Sequence, residues 1–203
     1  MNLLTQKILS SIIQILLCTL IPFIWWCITA GKKNNFFQWI GLKRISSTKE
    51  NKTYLWIVGT SIIFLAVSVF ILYTIRNIET ATSDFSGLGI KALPAIFVYA
   101  IFNTSLPEEI LFRGFLLKRI SNKFGFPVGN AVQSILFGLL HGAMFLSLTD
   151  TLKAILIIVF TGVIAWCIGY VNEKKSEGSI LSGWCIHAIA NIFSGVCSAF
   201  LLF

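Results

Sequence analysis

The sequence predicts an all-α fold, a polytopic transmembrane helix bundle of about six spans, and two observations carry that expectation. The 203-residue chain is 56% hydrophobic and 12% charged, about half the charged fraction of a soluble globule. Apolar runs of about twenty residues, each long enough to cross a hydrocarbon layer as a helix, recur almost end to end. Together these exclude a water-soluble enzyme and make the lipid bilayer the expected surroundings. The net charge of +8 does not point to nucleic acid, because the basic residues fall between apolar runs and not along one aromatic-studded face.

The first run, Ile8 to Ala30, could be a signal peptide ending near Thr29 and Ala30. Its apolar stretch is long for one and only Lys7 precedes it, so an uncleaved helix is expected. Gly31 to Thr53 is the longest polar stretch, and Phe36, Phe37, Trp39, Ile40 and Leu42 within it predict a segment lying along the membrane surface. Tyr54 to Tyr73 is the second span. Ile90 to Leu117 is long enough to cross but is interrupted by Pro107 and holds Glu108, Glu109 and Arg113, so it reads as a span broken near the proline. Splitting it into two crossings, Ile90 to Ser105 and Leu106 to Ile120, would invert every later loop and put the basic connectors on opposite sides. Pro127 to Leu148, Leu152 to Val171 and Ser179 to Phe203 complete the set.

Lys32, Lys33, Lys43, Arg44, Lys49 and Lys52 crowd the first connector, which the positive-inside rule assigns to the cytoplasm, with the N-terminus outside. Six crossings return the C-terminus outside, and Lys118, Arg119, Lys123, Lys174 and Lys175 then also fall inside. The expected organisation is a pair of N-terminal helices with a basic connector over residues 1–89 and a core over residues 90–203. The five cysteines, Cys18, Cys27, Cys167, Cys185 and Cys197, lie in apolar runs without metal-type spacing and read as packing residues. A phosphate-binding glycine loop, a zinc H-E-x-x-H and a G-x-S-x-G elbow are all missing from the sequence.

Of the eight acidic residues, only Glu108 and Glu109 lie within an apolar environment. A charge at the bilayer centre costs about 2.5–3.5 kcal/mol even on lenient insertion scales, so the pair needs partners, a function or both. Glu109 and Arg113 are i and i+4 on one helical face, suited to a charge-assisted pair. Glu108 is turned about 100° away, leaving its carboxylate free for chemistry. A structural alternative is a capping box with Ser105 as N-cap, which accounts for Glu108 but not for Glu109 or Arg113.

The only two histidines, His141 and His187, also lie deep in apolar spans. Phe137 shares the face of His141 at i−4, and Gly138 with Gly142 allows a neighbouring helix close by. His187 and Asn191 stand one turn apart on one edge beside small alanines. Counted from their cytoplasmic ends at about 1.5 Å per residue, Glu108, His141 and His187 lie at depths that let them meet.

Glu108-Glu109-x-x-x-Arg113, Phe137-x-x-x-His141 and His187-x-x-x-Asn191, in this order on separate apolar helices, resemble the CPBP family of intramembrane proteases. That family includes type II CAAX prenyl proteases and bacteriocin-processing or immunity proteins. The resemblance covers about Ile90 to Phe203 and makes residues 90–203 a CPBP-like protease core. It implies a glutamate-type endopeptidase that cuts a membrane-associated protein or peptide. Glu108 and His141 would activate water, His187 and Asn191 would form an oxyanion site, and Glu109, Arg113 and Phe137 would support them.

No cofactor is expected. A divalent metal such as zinc is the mechanistic alternative, since Glu108, His141 and His187 are ligand types it accepts, although the fourth motif residue, Asn191, is an indifferent ligand. The functional alternative is a non-catalytic immunity or partner-binding protein of the same fold. A proton-coupled transporter is disfavoured by the short chain without an evident inverted repeat. The expected location is a bacterial plasma membrane, and prenyl-cysteine specificity is not carried over because no motif reads a lipid.

Overall fold

A computed structural model describes residues 2–31, 33–45 and 50–202, with only the backbone of Glu50 and Asn51. Among the described residues the regular structure is entirely helical: α1 (Leu3–Thr29), α2 (Phe36–Trp39), α3 (Glu50–Thr74), α4 (Gly89–Phe124), α5 (Phe126–Phe145), α6 (Thr151–Lys175) and α7 (Leu181–Ala199), with a short 3₁₀ turn at Ser83–Phe85. All but α2 are long and apolar enough to cross a membrane, which gives six spans. Local chemistry sets several boundaries. Asn2 caps α1 by accepting from Thr5 N at 2.8 Å, and Asp150 caps α6 by accepting from Lys153 N at 3.0 Å. Gly125, at φ +84°, turns the chain between α4 and α5, and Pro127 then sits in the first turn of α5.

The bundle carries its apolar residues outward and much of its polarity inward. Leu16, Ile13, Ile28, Leu55, Ile63 and Leu152 are exposed, whereas Glu109, Arg113, Asn130, Gln133 and Asn172 are fully buried. A lipid solvent selects this distribution, since apolar side chains gain nothing by leaving the surface and polar ones must find each other inside. Helices α5 and α6 approach closely, as the sequence suggests. A Cβ on Gly138 would run into the Ile158 carbonyl, and one on Gly142 into the Ile158 side chain. Asn130 and Gln133 tie the same pair by donating to the carbonyls of Trp166 and Ala165.

The connectors meet at two ends. At one end, Ile180 N donates to Gly41 O (2.9 Å), Ser179 Oγ to Lys43 O (2.6 Å), Thr53 Oγ1 to Lys175 O (2.6 Å) and Lys118 Nζ to Gly178 O (2.8 Å), while Lys118 also pairs with Glu173. This collar gathers Lys43, Lys118 and Lys175 from three basic connectors. Lys32 and Lys49 lie outside the described residues. At the opposite end Lys7 pairs with Asp84 at 2.7 Å and Ser198 Oγ donates to Thr82 O at 2.8 Å.

Three sequence expectations are corrected. The segment around α2 does not simply lie on the surface: Phe36 and Ile40 are buried and pack with Ile110 and Ile180, so it plugs the collar end of the bundle. Pro107 does not interrupt the helix, and the two-crossing alternative falls with it, because α4 is a single helix. Its turns widen to π-helix over Tyr99–Ser105 and again over Glu109–Leu117. Proline lacks an N–H and crowds the carbonyl four residues back, and a widened turn accommodates both defects. Ser105 is helical, at φ −62° and ψ −48°, and makes no side-chain cap, so the capping box is absent.

Candidate active site

Glu108 leaves α4 directly after Pro107, between the two π-helical stretches, and points between His141 of α5 and His187 of α7. Its Oε2 lies 3.9 Å from His141 Nε2 and 3.7 Å from His187 Nε2. Both separations exceed a direct hydrogen bond, and among the described residues this buried oxygen has no hydrogen-bond partner. A polar atom left so in a dry bundle marks a place where chemistry or a bound molecule is expected to complete the shell.

The two imidazoles are oriented from behind. His141 Nδ1 lies 2.9 Å from the Phe137 carbonyl, which can only accept, so Nδ1 carries the proton and Nε2 faces Glu108. The Phe137 ring stacks on the His141 ring at 4.2 Å and 30°, removing its remaining freedom. His187 Nδ1 lies 3.3 Å from Glu109 Oε1, which likewise directs its Nε2 toward Glu108.

Glu109 is the point where three helices are joined. Its Oε1 also faces Arg113 Nη1 at 3.2 Å, both side chains being fully buried, and its Oε2 accepts from Asn172 Nδ2 at 3.4 Å. Asn172 Oδ1 in turn accepts from Gly183 N at 2.7 Å, locking α6 to the start of α7. The Arg113 guanidinium lies over the Phe137 ring at 4.4 Å, so the ion pair and the His141 stack share one aromatic side chain.

Asn191, one turn beyond His187, lines a cavity together with His141 and His187. Its Nδ2 donates to Thr104 Oγ1 at 2.8 Å and to Ser105 Oγ at 3.2 Å. That cavity, about 170 Å³, is walled by Phe64, Ile71, Phe137, His141, His187 and Asn191, with room for a few waters or one apolar side chain. Helix α3 supplies Phe64 and Ile71, a contribution the motif spacing does not contain.

All seven sequence-derived site residues thus fall in one region: Glu108, His141 and His187 converge, Glu109, Arg113 and Phe137 buttress them, and Asn191 borders the cavity. Three contributors escaped the sequence: Asn172, beside charged Glu173, Lys174 and Lys175, reads as part of a solvated connector; Thr104 carries no motif; Ser105 suggests a cap. The donor set of one carboxylate and two imidazoles is one that zinc accepts.

A family model described as type II CAAX prenyl endopeptidase, Rce1-like, matches residues 89–193, from the first residue of α4 to two residues past Asn191. No curated protein and no solved structure matches the chain.

Proposed function

The chain belongs to the Rce1-like type II CAAX prenyl endopeptidase family, a family of intramembrane proteases, and we propose that it is an active endopeptidase cutting a membrane-associated protein or peptide. As a multi-pass integral membrane protein it would work within the bilayer. The observation that carries this proposal is Glu108 Oε2, without a hydrogen-bond partner among the described residues and held between two imidazole Nε2 atoms from separate helices.

A water placed between these groups reaches all three. Glu108 takes its proton while the water oxygen attacks the scissile carbonyl carbon, and His141 Nε2 accepts the second hydrogen and orients the attack. Negative charge then grows on the carbonyl oxygen. In the imidazolium form of His187, with Nδ1–H donating to Glu109, Nε2–H provides one donor to it. Asn191 provides another once its amide turns over, for Thr104 and Ser105 hydroxyls can donate to its oxygen as readily as accept from its nitrogen. Collapse of the tetrahedral intermediate breaks the C–N bond as Glu108 returns its proton to the leaving nitrogen, releasing an acid and an amine.

The proposed mechanism is metal-free, and activity is expected to survive phenanthroline. Loss that added zinc restores would instead assign Glu108, His141 and His187 as ligands. The primary test compares membrane peptides and protein termini from cells carrying the native chain with those carrying Glu108→Gln, His141→Ala or His187→Ala. A processed terminus should vanish in each variant at equal membrane abundance. Processing that persists in Glu108→Gln sinks the peptidase assignment, and a chain that only binds a partner would tolerate at least one of the three.

A further inference from the structure

Beside the site cavity lies a second one, about 390 Å³, at the end of the bundle away from the collar. Its walls include Arg76, Glu79, Thr82, Ser83, Ser86 and Ser198, a more polar lining than that of the first, beside apolar Ile75, Ile78 and Leu201. Leu72 of α3 and Ser194 of α7 line both cavities, so the two adjoin at these side chains. Along α7, His187, Asn191, Ser194 and Ser198 follow at intervals of four, three and four, a single polar stripe running from the imidazole to the bundle end. On the opposite side, Glu109, Arg113 and Asn172 are fully buried behind Glu108, and among the described residues the collar bonds tie the connectors together beyond them.

We infer that the second cavity is a hydrated vestibule through which water reaches the site from the non-collar end, with Ser194 and Leu72 at its neck. The inference rests on the peptidase assignment only for what that water does on arrival. Hydrolysis consumes one water per bond cut, and an intramembrane site needs a polar path to replace it. Hydroxyls spaced along a helix face offer such a path where hydrocarbon does not.

The test is thiol accessibility in proteoliposomes of the full chain with its five native cysteines replaced. A quaternary-ammonium methanethiosulfonate reagent, which is excluded from lipid, reacts with thiolate. Ser194→Cys is expected to react within about tenfold of Ser86→Cys at the vestibule mouth, whereas Phe70→Cys, 61% exposed toward lipid, reacts about a hundredfold more slowly because a thiol in hydrocarbon stays protonated. Ser194→Cys as slow as Phe70→Cys overturns the vestibule. Labelling reads the path whether or not the chain cleaves anything, so it separates this inference from the peptidase assignment. If the cysteine-free chain does not insert, hydroxyl-radical footprinting of the native chain decides: Leu72 oxidised above Phe70 supports the path, and the reverse order removes it.

Discussion

Glu108 and Glu109 are adjacent and chemically identical, yet one is saturated and the other is not. Glu109 faces Arg113, His187 and Asn172, while Glu108 Oε2 faces two imidazoles beyond bonding distance. Truncating Arg113 leaves the buried Glu109 carboxylate without its cation, so Arg113→Ala is expected to cost about 3–5 kcal/mol, read as a lower midpoint of SDS-induced unfolding in bicelles. Glu108→Gln should leave that midpoint within about 0.5 kcal/mol of native, since no protein bond is lost. Asn191→Ala is expected to lower kcat by about 10²–10³ with KM little changed, because its donor acts mainly in the transition state. Steady-state kinetics on the first substrate identified would show the split. Helical spacing alone makes the Glu109–Arg113 pair legible in the sequence. Asn172 is not legible there, since its neighbours Glu173, Lys174 and Lys175 mark a solvated connector, and only the close approach of α7 turns that asparagine inward.

Helix α4 does the positioning, and its register is what sequence patterns describe least well. Pro107 signals a disturbance, but nothing in composition distinguishes a broken helix from one with widened turns. The i+4 pairing of Glu109 with Arg113 holds within the widened turns, while the alternative helix start at Ser105 does not form. Approach between elements is likewise fixed by small residues. A Cβ on Gly183 would sit 2.6 Å from both Asn172 Nδ2 and Glu109 Oε2. Gly183→Ala should therefore push α7 away from α6, lowering stability by about 1–3 kcal/mol and activity with it. Native-like unfolding together with native-like turnover would show that the Asn172 bridge is dispensable. The Gly138 and Gly142 spacing, by contrast, does announce the α5–α6 contact, because small residues four apart have few other uses in an apolar helix.

For the whole molecule, alternating apolar runs and clustered lysines are enough to recover six spans and to group the basic connectors at one end. They do not reveal that α3 helps to enclose the site, since Phe64 and Ile71 look like any other lipid-facing residues until packed. On the orientation we propose from the positive-inside rule, the collar end faces the cytoplasm. In intact cells an impermeant maleimide should therefore label Ile90→Cys, and label Lys123→Cys only after lysis. The inverse pattern would reverse the orientation. The collar also has an electrical meaning. A pocket that admits solvent from one side, and is sealed by bonded side chains on the other, leaves the bilayer an insulator, and the voltage falls across the sealed portion. Each unit charge there is worth about 2.3 kcal/mol per 100 mV, so the neutral pairing of Glu109 with Arg113 leaves that pair with no net coupling to the voltage.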